Sequence, residues 1–123
     1  MNSFVIKEKL PSLNEYIGAC RSNAYMGAKF KKEVEETIGY YIRLSKLDKP
    51  KKAVKINFEW HEKTKRRDAD NIASAKKFIL DALVKEGILI NDSRKYVVGF
   101  TDTIIDDKED FVIVEYFEVV DKS

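Results

Sequence analysis

The sequence is poor in cysteine and histidine and has no long apolar run, and these shortages exclude whole classes of protein. Cys20 is the single cysteine in 123 residues, so the chain has neither an internal disulfide nor a Cys-x-x-Cys metal site. His61 is the single histidine, and we interpret it as an ordinary residue at the end of a strand. No apolar run is long enough for a membrane span, and the N-terminal residues lack the order of a signal peptide. We therefore expect a cytoplasmic protein.

Charge of both signs is what the sequence has in abundance. Charged residues make up 36% of the chain, against about a quarter in typical soluble proteins. The 23 basic and 21 acidic residues nearly cancel, so net charge alone does not indicate a polyanionic partner. The basic residues are clustered, however, at positions 29–32, 51–52 and 63–67, and such local clusters can bind anions.

The hydrophobic pattern predicts a single α+β domain in the order β-α-β-α-β-β, with helices packed on a small mixed sheet. Residues 53–61 show the clearest strand alternation, with Val54, Ile56, Phe58 and Trp60 on one face. The segment Pro11–Gly27 shows neither helical nor strand periodicity, so we expect a long loop. The other predicted elements are the strands Phe4–Leu10, Tyr96–Ile105 and Phe111–Val120, and the helices Ala28–Leu47 and Asn71–Glu86, the second ended by Gly87.

Two aspartates, Asp68 and Asp70, directly follow a run of cations. Like charges that lie close together repel each other, so such a pair favours binding of a cation. In an extended segment both side chains point to the same side, and Mg²⁺ is commonly held by one or two carboxylates together with phosphate oxygens. The alternative is structural: Asp70 is a helix N-cap, and Asp68 pairs with Arg66 or Lys65.

Lys77 and Asp92 are further candidates for the same site. Lys77 lies two helical turns after Asp70, so its ammonium group can extend back towards the carboxylates and stabilise charge on a phosphate. The alternative is an i,i+4 pair between Lys77 and Asp81. Lys76 lies on the apolar side of the helix and remains the rival lysine. Asp92 is a candidate third carboxylate or a simple turn residue.

The basic residues before the acidic pair are candidate contacts to a phosphate backbone, although a solvated charged surface is the alternative. These candidates are Lys63, Lys65, Arg66 and Arg67. In the expected loop, Arg21 is a further candidate DNA contact.

Four segments carry a resemblance to a known family: "RRDADN" (66–71), "KFILDAL" (77–83), "GILINDS" (87–93) and, more weakly, "LPSLNEY" (10–16). The chain resembles the RusA family of Holliday-junction resolvases, which are homodimeric, magnesium-dependent endonucleases common in prophages. The resemblance implies a RusA-like domain over residues 1–123. It also implies a homodimer, four-way DNA junctions as the substrate, and Mg²⁺ as the cofactor, with Mn²⁺ as a substitute.

The resemblance assigns the catalytic carboxylates to Asp68, Asp70 and Asp92 and the catalytic lysine to Lys77. The match at Lys77 requires a three-residue insertion relative to shorter members, so Lys76 stays in competition. The family often has two adjacent aspartates where this chain has Asn91 followed by Asp92.

Chain length constrains how these residues can meet. A regular helix from Asn71 to Glu86 is about 24 Å long, whereas residues 87–92 span at most roughly 20 Å. Asp92 would then not reach Asp68. We therefore expect either an irregular first turn after Asn71 or a site completed by a second subunit.

The function expected from these observations is Mg²⁺-dependent resolution of Holliday junctions by paired nicks. Two alternatives remain: a non-catalytic DNA-binding or regulatory dimer, and a nuclease that acts on other branched DNA.

Overall fold

The sheet is organised around β2 (Val54–Glu62), the strand with the clearest alternation. In the computed structural model, which describes residues 1–120, four strands form one sheet in the order β1-β4-β2-β3. β4 is antiparallel to both β1 and β2, whereas β3 is parallel to β2. The sheet is therefore mixed, as predicted.

The helices and strands follow the predicted order, with one additional helix in the expected loop and with the second predicted helix divided into two. The elements are β1 Ser3–Ile6, α1 Leu13–Ser22, α2 Ala24–Ser45, β2 Val54–Glu62, α3 Ala69–Ala73, α4 Lys76–Lys85, β3 Val97–Asp106 and β4 Phe111–Glu118. The α+β class is confirmed. The acidic segment after β3 forms the predicted connection to β4, although these two strands are not neighbours in the sheet.

The hydrophobic core lies between one face of the sheet and the helices. Ile56 and Phe58 of β2 are buried together with Ile38 of α2 and Phe78 of α4. On the opposite face of β2, Lys55 and Glu59 are exposed, so the helices cover one side of the sheet. This burial of a single face is what the alternation in β2 predicts.

The expectation of a long loop over Pro11–Gly27 is wrong, because this segment contains α1 and the start of α2. The hydroxyl of Ser12 caps α1 by accepting a hydrogen bond of 3.3 Å from the backbone N–H of Glu15. The side chain of Asn23 caps α2 by accepting a bond of 2.7 Å from the N–H of Met26. Ser12 and Asn23, which suggested turns in the sequence, are therefore helix N-caps, a position that both residue types favour.

The helix predicted from Asn71 to Glu86 is interrupted. Helix α3 ends at Ala73 and α4 begins at Lys76. Between them, the hydroxyl of Ser74 donates a hydrogen bond of 2.6 Å to the carbonyl of Asn71, which is the kind of local bond that competes with helical geometry. The break confirms the expectation that the chain after Asn71 is not a regular helix.

Gly87 ends α4, as predicted. Its φ angle of 79° lies in the left-handed region that favours glycine. The N–H of Ile88 bonds to the carbonyl of Leu83 at 2.9 Å, and the N–H of Gly87 bonds to that of Val84 at 3.0 Å. This pair of bonds is a Schellman motif. It turns the chain back along α4 and buries Leu89.

Among residues 1–120, no helix has both the length and the apolar composition needed to span a bilayer.

Candidate active site

Asp68 and Asp70 lie at the N-terminal end of α3. Asp68 is the N-cap residue, but its side chain makes no capping hydrogen bond, and Asp70 lies in the first turn. The expected extended spacing is therefore wrong for this pair, because Asp70 is helical. Both residues are exposed, and neither forms an ion pair with any residue from 1 to 120. The proposed pairing of Asp68 with Arg66 or Lys65 is not observed.

Arg67 anchors the segment that leads into α3. Its guanidinium group donates hydrogen bonds of 2.9 to 3.1 Å to the carboxylate of Glu62 and one of 3.0 Å to the carbonyl of Leu10. The side chains of Arg67 and Glu62 are only 16% and 7% exposed. The sequence pattern predicts that Arg67 contacts DNA. Because its guanidinium group is instead bonded to Glu62 and Leu10, we assign Arg67 a structural role in supporting the acidic segment.

Helix α1 supports the other side of the acidic segment. The backbone N–H of Leu13 donates a hydrogen bond of 3.1 Å to the hydroxyl of Ser74. The side-chain amide of Asn14 donates one of 2.9 Å to the side-chain oxygen of Asn71. The N-terminal segment "LPSLNEY" thus contacts both α3 and the turn between α3 and α4.

Lys77 binds two carboxylates. Its ammonium group lies 2.9 Å from a carboxylate oxygen of Asp92 and 3.1 Å from one of Asp81. The hydrogen bonds that Lys77 donates to Asp92 and then to Asp81 raise the pKa of Lys77, and the bond from Lys77 lowers the pKa of Asp92. The lysine side chain is 53% exposed. The i,i+4 alternative is therefore present in the structure, but it coexists with a long-range contact to Asp92.

Lys76 points away from this pair. Its ammonium group lies 2.5 Å from a carboxylate oxygen of Asp102 on β3 and 4.9 Å from the ring centroid of Phe100. Asp102 also accepts a hydrogen bond of 2.8 Å from the indole N–H of Trp60. Lys76 thus contacts β3, whereas Lys77 reaches the segment that carries Asp92.

The three aspartates do not form a complete metal cage. Among residues 1–120, no three or more His, Cys, Asp and Glu side chains are arranged to hold a metal ion. The geometry instead presents two carboxylates at the start of α3 that form no ion pair with residues 1–120, and a third, Asp92, that is bound to Lys77. Carboxylate oxygens suit a hard divalent cation, and one or two of them suffice where a substrate phosphate completes the shell.

The remaining candidate cations occupy three different environments. Lys63 and Arg66 are exposed and form no ion pair within the described part of the chain. Lys65 lies 3.4 Å from Asp106, with both side chains well exposed. Arg21 lies in the last turn of α1 rather than in a loop.

The fold and the site together define a small α+β domain whose acidic and basic side chains suit a phosphate-bearing ligand. A family model described as Endodeoxyribonuclease RusA matches residues 2–115 of the 123 residues. The chain therefore belongs to the RusA endodeoxyribonuclease family, and the resemblance seen in the sequence is confirmed. This family resolves Holliday junctions and acts on branched DNA. No curated protein matches the sequence.

Sequence reasoning missed the residues that support the site. Glu62 carried a readable signal, because it continues the core-facing positions of β2 two residues beyond Trp60. An acidic residue in a core position requires a buried cationic partner, and Arg67 is the nearby candidate. Asn14 and Ser74 gave no comparable signal, since their contacts join segments far apart in the sequence.

Proposed function

We propose that the protein is a metal-dependent endodeoxyribonuclease that resolves four-way DNA junctions by paired nicks. Membership of the RusA family supports nuclease action on branched DNA. The observation that carries the proposal is the state of Asp68 and Asp70: two exposed carboxylates, unpaired among residues 1–120, held on a supported segment. Asp68 makes no side-chain capping bond, and neither carboxylate forms an ion pair within residues 1–120, so both are accessible to a cation.

In the proposed site, Asp68 and Asp70 would hold the metal ion, with Asp92 as the third carboxylate. A Mg²⁺ ion held there would supply an activated water molecule and would neutralise charge on the phosphate oxygens. Lys77 has an ammonium group whose pKa is raised by its neighbours, so it is fully charged at neutral pH. It donates to a phosphate oxygen and balances the charge that develops there. Asp92 and Asp81 orient this ammonium group before DNA arrives.

The exposed cations Lys63 and Arg66 contact flanking phosphates in this proposal, with Lys65 and Arg21 as further contacts. Contacts to phosphates carry no direct sequence information, which suits an enzyme that recognises the shape of a junction. We also propose a homodimer, because two opposed nicks require two sites related by two-fold symmetry.

The test is cleavage of a synthetic four-way junction with and without Mg²⁺. We expect Asp70→Asn to abolish cleavage and to leave junction binding unchanged or stronger, because a negative charge near phosphate is removed. Glu36→Gln, which removes an exposed carboxylate from α2, is the matched control and should cut normally.

The preference for DNA structure is measured by comparing cleavage rates on junctions with those on linear duplex, flap and fork substrates of equal length. Wild-type protein that binds junctions but leaves them uncut in both Mg²⁺ and Mn²⁺ would contradict the proposal and favour a non-catalytic DNA-binding protein. If flaps or forks are cut as fast as junctions, the proposed substrate becomes branched DNA in general.

A further inference from the structure

A second basic cluster lies outside the candidate active site. Lys51 and Lys52 belong to the connection between α2 and β2, and Lys95 belongs to the connection between α4 and β3. The three side chains line one cavity of about 200 Å³. We call these three residues and their cavity the lysine pocket.

The lysine pocket has apolar side chains at its floor, and the positive charges of its three lysines are not balanced by acidic residues in the part of its lining that the structure describes. Leu89 and Tyr96 contribute to the floor, and the ammonium group of Lys95 lies 5.6 Å from the ring centroid of Tyr96. The residues from 1 to 120 that line the cavity include no aspartate or glutamate. Within that same range, Lys51, Lys52 and Lys95 form no ion pair.

A second cavity lined by lysines has no such excess of positive charge. On α2, a cavity of about 440 Å³ is lined by Lys29 and Lys32 but also by Glu33 and Glu36. Two cations and two carboxylates cancel there, whereas three ammonium groups around the lysine pocket repel one another. An anionic ligand relieves that repulsion.

The lysine pocket is also close to the candidate site along the chain. Lys95 follows Asp92 by three residues, and three residues of extended chain span at most roughly 11 Å. Consecutive nucleotides of one DNA strand are spaced by about 3.4 Å along the helix axis. A strand held at Asp92 and Lys77 therefore comes within about three nucleotides of the pocket.

From these observations we propose that the lysine pocket binds the sugar–phosphate backbone of the DNA, a few nucleotides from the phosphate that is cut. The inference rests on the proposed function, since it places the scissile phosphate beside Lys77 and Asp92. Lysine ammonium groups act on phosphates as point charges, and contacts to phosphates carry no direct sequence information. The pocket thus contributes affinity without reading sequence.

The test measures binding to a four-way junction in EDTA, where no cut occurs, over a range of salt concentrations. Each phosphate contact to duplex DNA contributes about 0.9 to the slope of log affinity against log salt. For the triple variant Lys51→Gln, Lys52→Gln, Lys95→Gln we expect a slope smaller by up to about 2.7. The triple variant with arginine at these positions should keep the wild-type slope, which separates lost charge from lost folding.

Lys29→Gln with Lys32→Gln is the matched control, since its cavity is electrically balanced, and its slope should equal that of the wild type. An unchanged slope in the triple glutamine variant overturns the inference, as does a wild-type protein with no affinity for DNA. Cleavage is measured separately in Mg²⁺. A slope that falls as expected in a protein that cuts no junction supports the backbone contact and refutes the nuclease activity.

Discussion

Replacing Arg67 with methionine distinguishes an anchor of the fold from a DNA contact. The substitution removes the partner of Glu62, whose side chain is only 7% exposed. Removing one member of a buried ion pair costs about 3–5 kcal/mol, because the other charge remains buried and uncompensated. That is a large part of the ~5–15 kcal/mol that stabilises a typical domain. With a urea m-value of about 1–3 kcal/mol/M, a loss of ~3 kcal/mol lowers the unfolding midpoint by roughly 1–3 M.

Urea unfolding followed by fluorescence measures this effect, because Trp60 is the single tryptophan and is buried. Arg66→Met is the matched control: Arg66 is exposed, and such surface changes usually stay within about 0.5 kcal/mol. The double variant Arg67→Met, Glu62→Leu should recover most of the loss, since it removes both charges. The reasoning is refuted if Arg67→Met keeps the wild-type midpoint and m-value while its DNA binding becomes less sensitive to salt.

Two further predictions concern the lysines of α4. Lys77→Met should lower the rate of junction cleavage by about 10²–10³, the usual effect of losing one charge-stabilising donor, with an unfolding midpoint near that of the wild type. Lys76→Met should instead lower stability by about 1.5–3 kcal/mol through its charged hydrogen bond to Asp102; the opposite division of effects would make Lys76 the catalytic lysine. In metal-free protein, the lowered pKa of Asp92 means that its small contribution to stability is complete at neutral pH and is lost as pH falls below about 3.9. A carboxyl-carbon NMR titration should show this lowered midpoint in the wild type and an ordinary midpoint in Lys77→Met.

Local patterns sufficed to predict the elements in which burial or backbone conformation is strongly restricted. The alternation in β2 has period two and one buried face, so residue type alone reveals it. Gly87 was predictable because only glycine readily takes the positive φ that ends α4. The chain length between Asn71 and Asp92 correctly predicted an irregularity after Asn71, since this prediction depends on covalent distances rather than on side-chain packing. That Asp92 joins Asp68 and Asp70 stays a prediction.

Other features depended on contacts that the sequence does not display. Helix α1 was missed because none of its ten residues is fully buried, so its apolar pattern is weak. The helical position of Asp70 was missed because the segment before the helix predicted at Asn71 was interpreted as extended. The sequence could not separate Lys76 from Lys77, because their difference depends on tertiary contacts. Lys76 contacts Asp102 of β3, and Lys77 contacts Asp92 in the segment after α4.

The parallel pairing of β2 and β3 has a consequence for how the protein acquires activity. Parallel neighbours require a crossover connection, and here residues 63–96 form it, with Asp68, Asp70, Lys77 and Asp92 all inside. The crossover cannot close until β3 has been synthesised and has docked beside β2. A chain still emerging from the ribosome, or one in which β3 has detached, therefore lacks the assembled site that we propose for cleavage.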